Sequence, residues 1–136
     1  MSPERPRSRR CPCGLGESYS VCCRPLHRGR RSGAATATTA ERLMRSRYSA
    51  FAVGDRAYLL ATWHPSTRPA TLDLDPDLTW QRLDVLATAA GAEGDATGTV
   101  EFVAHHRDTA GRDGQQHEVS VFVREAGEWL YVGPQG

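Results

Sequence analysis

The chain holds four cysteines, and all of them fall in one short stretch: Cys11, Cys13, Cys22 and Cys23. A tight pair followed by an adjacent pair suits a closed tetrahedral site, in which four thiolates surround a Zn2+ ion and leave no position for water. Pro12 fixes one backbone angle of the first pair, and Gly14 and Gly16 can take the positive φ that a sulfur-wrapping turn needs. A short helical turn from about Ser18 would return Cys22 and Cys23 over this loop. Arg9, Arg10 and Arg24 stand near enough in sequence to offset the −2 charge of a zinc tetrathiolate. Two disulfides would require an oxidising compartment and a strained vicinal bridge, and a redox pair would want C-x-x-C spacing. His27 is an alternative fourth ligand, but it reads as an ordinary surface histidine.

Such a knuckle needs its metal to fold, and the elements that position it lie downstream. Residues 28–37 (RGRRSGAATA) read as a linker of small and basic residues. Thr38 and Glu41 form a capping box that opens a helix running to about Val53, with Leu43, Met44, Tyr48, Phe51 and Ala52 at helical spacing and Gly54 as its left-handed cap. Asp55 caps a shorter helix over 56–63, which His64-Pro65 stops. After a proline-bearing loop the pattern changes to alternation over 78–88, 96–106, 116–124 and 128–132, with turn clusters between. Helices followed by a strand meander predict an α+β domain with the helices on one face of a curved antiparallel sheet.

Charge is unevenly placed although the net is +1. Residues 1–33 carry eight arginines against Glu4 and Glu17, a net of +6; residues 34–136 carry nine arginines against fourteen acids, a net of −5. A basic arm on an acidic body suits a protein or ribonucleoprotein partner, although no aromatic residue precedes Tyr19 to stack on bases. No stretch approaches the roughly 20 apolar residues of a membrane span, and no secretory signal opens the chain. The cytoplasm, which keeps thiols reduced, is the expected compartment.

The run Cys11-Pro12-Cys13-Gly14, with Gly16, Tyr19, Cys22 and Cys23, resembles the SEC-C motif, a small zinc module of bacterial proteins. Leu15 and Glu17 depart from it without touching a ligand position. The resemblance extends along the chain. Leu43-Met44-Arg45-Ser46-Arg47-Tyr48-Ser49-Ala50-Phe51, Tyr58 to Pro69, His117-Glu118-Val119-Ser120, Phe122 to Glu125 and Trp129 to Val132 are similar to the YchJ family. Its members join a SEC-C motif to a domain of the nuclear transport factor 2-like fold, a cone whose sheet wraps round its helices. The resemblance implies a knuckle over residues 1–27, a linker over 28–37 and a cone over 38–136.

Cones of this shape often hold a pocket. The candidate lining groups are Arg47, Tyr48, Trp63, His64, Trp80, Glu118, Ser120 and Trp129, with His64 and Glu118 as acid–base candidates. The blander reading makes the tryptophans core and pairs Arg47 with Glu118. No catalytic residue is assigned. The expected function is therefore a structural-zinc module that docks a partner or acts as a scaffold. The alternative is binding or turnover of a small molecule in the cone, by an isomerase- or hydrolase-like activity, and zinc delivery is a third possibility. A ligand-sized cavity with convergent polar groups favours the pocket, whereas a filled core with Arg47 and Glu118 paired sinks it.

Overall fold

The computed structural model describes residues 10–33 and 35–135. Arg9 and the rest of the expected basic arm before Arg10 lie outside the described residues. A 3-10 turn at Tyr19–Val21 leads into helix α1 (Arg24–Ser32), followed by α2 (Ala40–Val53) and α3 (Arg56–Ala61). The strands are β1 (Thr79–Ala90), β2 (Thr97–Arg107), β3 (Asp113–Glu125) and β4 (Glu128–Pro134), paired antiparallel in the order β1-β2-β3-β4. This is the expected α+β order. No described helix is long and apolar enough to cross a membrane.

Alternation builds the inner face of the sheet. Along β2, Val100, Phe102 and Ala104 are buried every second residue, and Ser120 and Phe122 repeat the pattern on β3. Register shifts after Trp80 and Val85 in β1 and after Val121 in β3 add local twist, as bulges do, and curl the sheet. Helix α2 lies against β1, β2 and β4, contributing Leu43, Met44, Tyr48 and Ala50 to a core with Leu59, Leu83, Phe122 and Trp129. One close approach explains a glycine: a Cβ on Gly91 would stand 2.8 Å from the Cβ of Ala40, where Ala40 N–H donates to Gly91 O.

Three local expectations are corrected. The stretch read as a linker begins as helix, because α1 continues through Ser32, and Gly29 lets Ala35 fold back within 2.6 Å of where a Cβ would sit. The cap of α2 is Thr39, whose hydroxyl accepts from Arg42 N–H at 3.0 Å. Glu41 instead faces Arg45 at 2.9 Å, one turn on, so the Thr38–Glu41 box does not form. Asp55 caps α3 as expected, accepting from Tyr58 N–H, but that helix ends at Ala61, two residues short of Trp63. The freed segment pairs with the sheet edge: Tyr131 N–H donates to Thr62 O and His64 N–H to Tyr131 O, each at 2.8 Å.

Candidate metal centre and ligand cavity

Helix α2 has two working faces. Arg42, Arg45, Ser46 and Ser49, at helical spacing, face the cysteine knuckle. Met44, Arg47, Tyr48 and Phe51 face a cavity between helix and sheet.

At the knuckle the four sulfurs lie within 4.8 Å of one another and all four residues are buried. A tetrahedron of Zn–S bonds of roughly 2.3 Å has S···S edges of roughly 3.8 Å, so the donor set fits a metal ion with small adjustments. Gly14 and Gly16 take φ of 88° and 91° to shape the loop. Crowding makes joint ionisation of the thiols unfavourable: burial and the Cys13 contact push Cys22 up to about 12, and the Cys11 contact pushes Cys23 up to about 11. A divalent cation among them is what makes four thiolates compatible with burial.

The cationic support comes from a place the spacing did not indicate. Arg42 donates from Nη1 to Cys23 Sγ and from Nη2 to Cys22 Sγ, each at 3.4 Å, and from Nη2 to Cys22 O at 2.9 Å. Arg45 donates to Cys13 O at 2.7 Å, and Ser49 Oγ lies 3.6 Å from Cys11 Sγ. Arg10 turns to Gly16 O instead. No sulfur contact of Arg24 occurs among the described residues.

His27 is the second correction here. It is buried, with Nε2–H donating to Ser46 O at 2.9 Å and Nδ1 accepting from the Tyr19 hydroxyl at 2.7 Å. Burial holds its imidazole below the ordinary histidine range. With both nitrogens engaged it is neither a surface histidine nor a ligand, but a pin that fastens α1 to α2.

The cavity on the other face of α2 encloses about 500 Å³, within the range of small-molecule sites. Arg47, Tyr48, Trp63, Trp80 and Glu118 line it; His64, Ser120 and Trp129 do not. His64 is held by Glu125 and Ser66, each at 2.8 Å, so no His64–Glu118 pair forms. Trp129 is core, donating to Thr38 O at 3.2 Å. Ser120 sits behind the wall and donates to Glu118 Oε2 at 2.6 Å, and the Tyr131 hydroxyl donates to the same oxygen at 2.8 Å.

Arg47 and Glu118 do not pair. Arg47 is 4% exposed and spends Nη1 on Leu59 O and Thr62 Oγ1, both at 2.7 Å. Its guanidinium stands 5.1 Å from the Trp63 ring and 4.5 Å from the Tyr131 ring, a cation–π arrangement. Burial lowers its pKa to about 10, so it stays charged at neutral pH. Three further polar atoms of the lining, Tyr48 Oη, Trp63 Nε1 and His106 Nδ1, are buried without a hydrogen-bond partner. Burial pushes the Tyr48 hydroxyl up to about 12, keeping it a proton donor.

His106, rather than His64, is thus the histidine of the cavity. Its ring stands edge-on to Trp80 at 5.3 Å, over Gly114, where a Cβ would approach its Cε1 to 2.5 Å. The alternation that separates His105 from His106 is observed: His105 binds Asp84 at 2.8 Å outside the cavity.

Residues 39–134 match the family model described as YchJ, middle NTF2-like domain. A UPF0225 protein of Streptomyces coelicolor is 53% identical over 122 residues, covering 90% of this chain and 91% of the relative. One of Corynebacterium efficiens is 51% identical over 122 residues, covering 90% and 89%. The solution structure of a SEC-C motif containing protein from Rhodopseudomonas palustris superimposes with a TM-score of 0.77 at 32% identity, covering 93% of this chain and 97% of that one. A crystal structure of a SEC-C motif containing protein from Psychrobacter arcticus gives a TM-score of 0.77 at 29% identity, covering 95% and 84%. A cysteine knuckle clamped to one face of α2 and an NTF2-like cone on the other place the chain in the YchJ family of UPF0225 proteins, to which it belongs.

Proposed function

We propose that this protein binds a small molecule in its cone, and that the knuckle holds a structural Zn2+ which fixes the helix forming the cavity wall. The observation that carries the reading is the cavity of about 500 Å³ lined by Tyr48, Trp63 and His106, each of which has a buried polar atom without a partner. A buried donor or acceptor left unpaired costs about 1–3 kcal/mol, a cost that a ligand's complementary groups offset. Cys11, Cys13, Cys22 and Cys23 are the metal ligands. Zinc supplies charge neutralisation and a covalent-like tie between the loop and α1, and the chain's own Arg42, Arg45 and Ser49 orient the cluster against α2. Burial of all four sulfurs favours a site that retains zinc over one that delivers it, and reduced thiols suit the cytoplasm. The test is a thermal-shift screen of small metabolites on the zinc-loaded chain, followed by NMR. Ligands that raise the melting temperature and move the Trp63 indole and His106 ring signals support the reading; a screen without one such ligand contradicts it.

A second reading, partner docking through the knuckle, is favoured by one specific feature. Leu15 and Val21, 46% and 66% exposed, belong to a stretch, residues 1–33, whose sequence carries a net charge of +6. Leu15→Glu with Val21→Glu would then abolish salt-sensitive co-purification of a protein or ribonucleoprotein partner, while leaving zinc content unchanged.

A further inference from the structure

We propose that the cavity is a site for a small carboxylic acid with an aromatic or apolar body, its carboxylate received by Arg47 and the indole N–H of Trp63. This inference rests on the cavity reading above and deepens it. Trp63 Nε1–H can only donate, and it is buried with nothing to donate to. Arg47 can only donate as well, and both of its hydrogen bonds among the described residues leave from Nη1. Nε and Nη2 have no acceptor there, although the side chain is 4% exposed. The Tyr48 hydroxyl adds a further unpartnered donor one residue along α2. All three donor-bearing residues line one cavity, and acceptor atoms of a ligand that reach them would satisfy groups the fold leaves unpaired.

Charge narrows the class. No carboxylate comes within 4.0 Å of the Arg47 guanidinium among the described residues. Glu118, the acid of the inner wall, spends Oε2 on the Ser120 and Tyr131 hydroxyls. A buried guanidinium without a contacting counter-ion is unusual, and an incoming carboxylate supplies that counter-ion together with a planar pair of acceptors matched to the fork. A neutral amide would pair with the Trp63 N–H but leave Arg47 without its counter-ion. A cation would gain from the aromatic walls and from Asp73 and Asp75 on the lining, but it would share the space with the charge of Arg47 and leave every donor unpaired. Apart from Gln116 and His106, much of the remaining wall is apolar, with Met44, Phe51, Leu74, Trp80 and Phe102, which sets the character of the body.

Three probes sharing a phenyl group on a three-carbon chain test this by calorimetry on the zinc-loaded full chain: 3-phenylpropionate, 3-phenylpropionamide and 3-phenylpropyl-trimethylammonium. The expected result is saturable binding of the carboxylate at least about tenfold tighter than that of the amide, the scale of a charged hydrogen bond, with the Trp63 indole N–H signal shifted and that of Trp129 unmoved. Trp63→Phe, which keeps a ring but removes the donor, weakens the carboxylate about tenfold and the ammonium little. Arg47→Gln removes the preference for the carboxylate over the amide. If Arg47→Gln fails to fold, the probe series and Trp63→Phe still decide. Equal or tighter binding of the amide or the ammonium overturns the carboxylate assignment and leaves the cavity reading standing. A carboxylate that binds without moving the Trp63 signal overturns it too. Failure of all three probes to bind contradicts both readings.

Discussion

The two faces of α2 differ in how completely they pair their buried polar groups. On the knuckle side the polar groups that meet the cluster find partners there: Arg42 on two sulfurs and a carbonyl, Arg45 on Cys13 O and Glu41, His27 on Tyr19 and Ser46. On the cavity side Tyr48 Oη, Trp63 Nε1 and His106 Nδ1 have none. Folded interiors leave few buried polar groups unpaired, so three around one space mark groups that the fold itself does not use. On the proposed reading the knuckle side serves stability and the cavity side serves a ligand. Substitutions should therefore behave oppositely on the two faces, and each experiment below can break that contrast.

The largest effect is expected from the cysteine cluster. Cys23→Ser, or stripping the metal with a strong chelator, should destabilise the chain by about 4 kcal/mol or more, as loss of a metal site does, with zinc content falling to zero by elemental analysis. Undiminished stability after complete metal removal would show that the cluster does not fasten the knuckle. Next comes Arg42→Ala. It withdraws charged hydrogen bonds from two sulfurs and a carbonyl, a loss of about 2 kcal/mol measurable by urea unfolding. Arg42→Lys should recover little, because an ammonium cannot span the three acceptors as the fork does.

A smaller effect belongs to His27. Its folded pKa is depressed by burial, so the unfolded imidazole takes up a proton near pH 6.5 before the folded one does. Stability is accordingly fully present above that pH and drains as the pH falls below it towards the lower folded value. His27→Gln should flatten the stability profile of the zinc-loaded chain between pH 7.5 and 5.5. Parallel profiles for the two proteins would mean that the ring protonates without penalty.

What the sequence revealed about these faces follows from the range of the interactions involved. The cysteine cluster was legible because a loop of this length brings the four residues together locally. The four strands were legible through alternation, although β3 begins three residues before the expected Gln116. Arg42 and Arg45 were not legible as the knuckle's support, since arginines at helical spacing look the same on a solvated face as under a metal cluster. The spacing of Arg42, Arg45 and Ser49 along one stripe was the signal available. Nor could spacing choose between histidines: strand register puts His106 opposite Gly114 and inside the cavity, while the chain after α3 carries His64 away to Glu125. Thr38 and Thr39 are both competent caps, and the helix starts where Ala40 meets Gly91. The absence of an Arg47–Glu118 pair is a long-range outcome of the same kind, decided by the Ser120 and Tyr131 hydroxyls that claim the carboxylate first.

The most direct measurement of the contrast is the urea-unfolding free energy of Tyr48→Phe in the zinc-loaded protein without added ligand. Deleting a buried hydroxyl that has no partner relieves its desolvation cost and keeps the ring that packs against Trp80 at 5.9 Å. The variant should therefore be as stable as the wild type or more stable by up to about 1 kcal/mol. A loss of more than about 1 kcal/mol, comparable to removing a satisfied hydrogen bond, would contradict the account, because it would mean that the cavity's polar groups serve the fold and not a ligand.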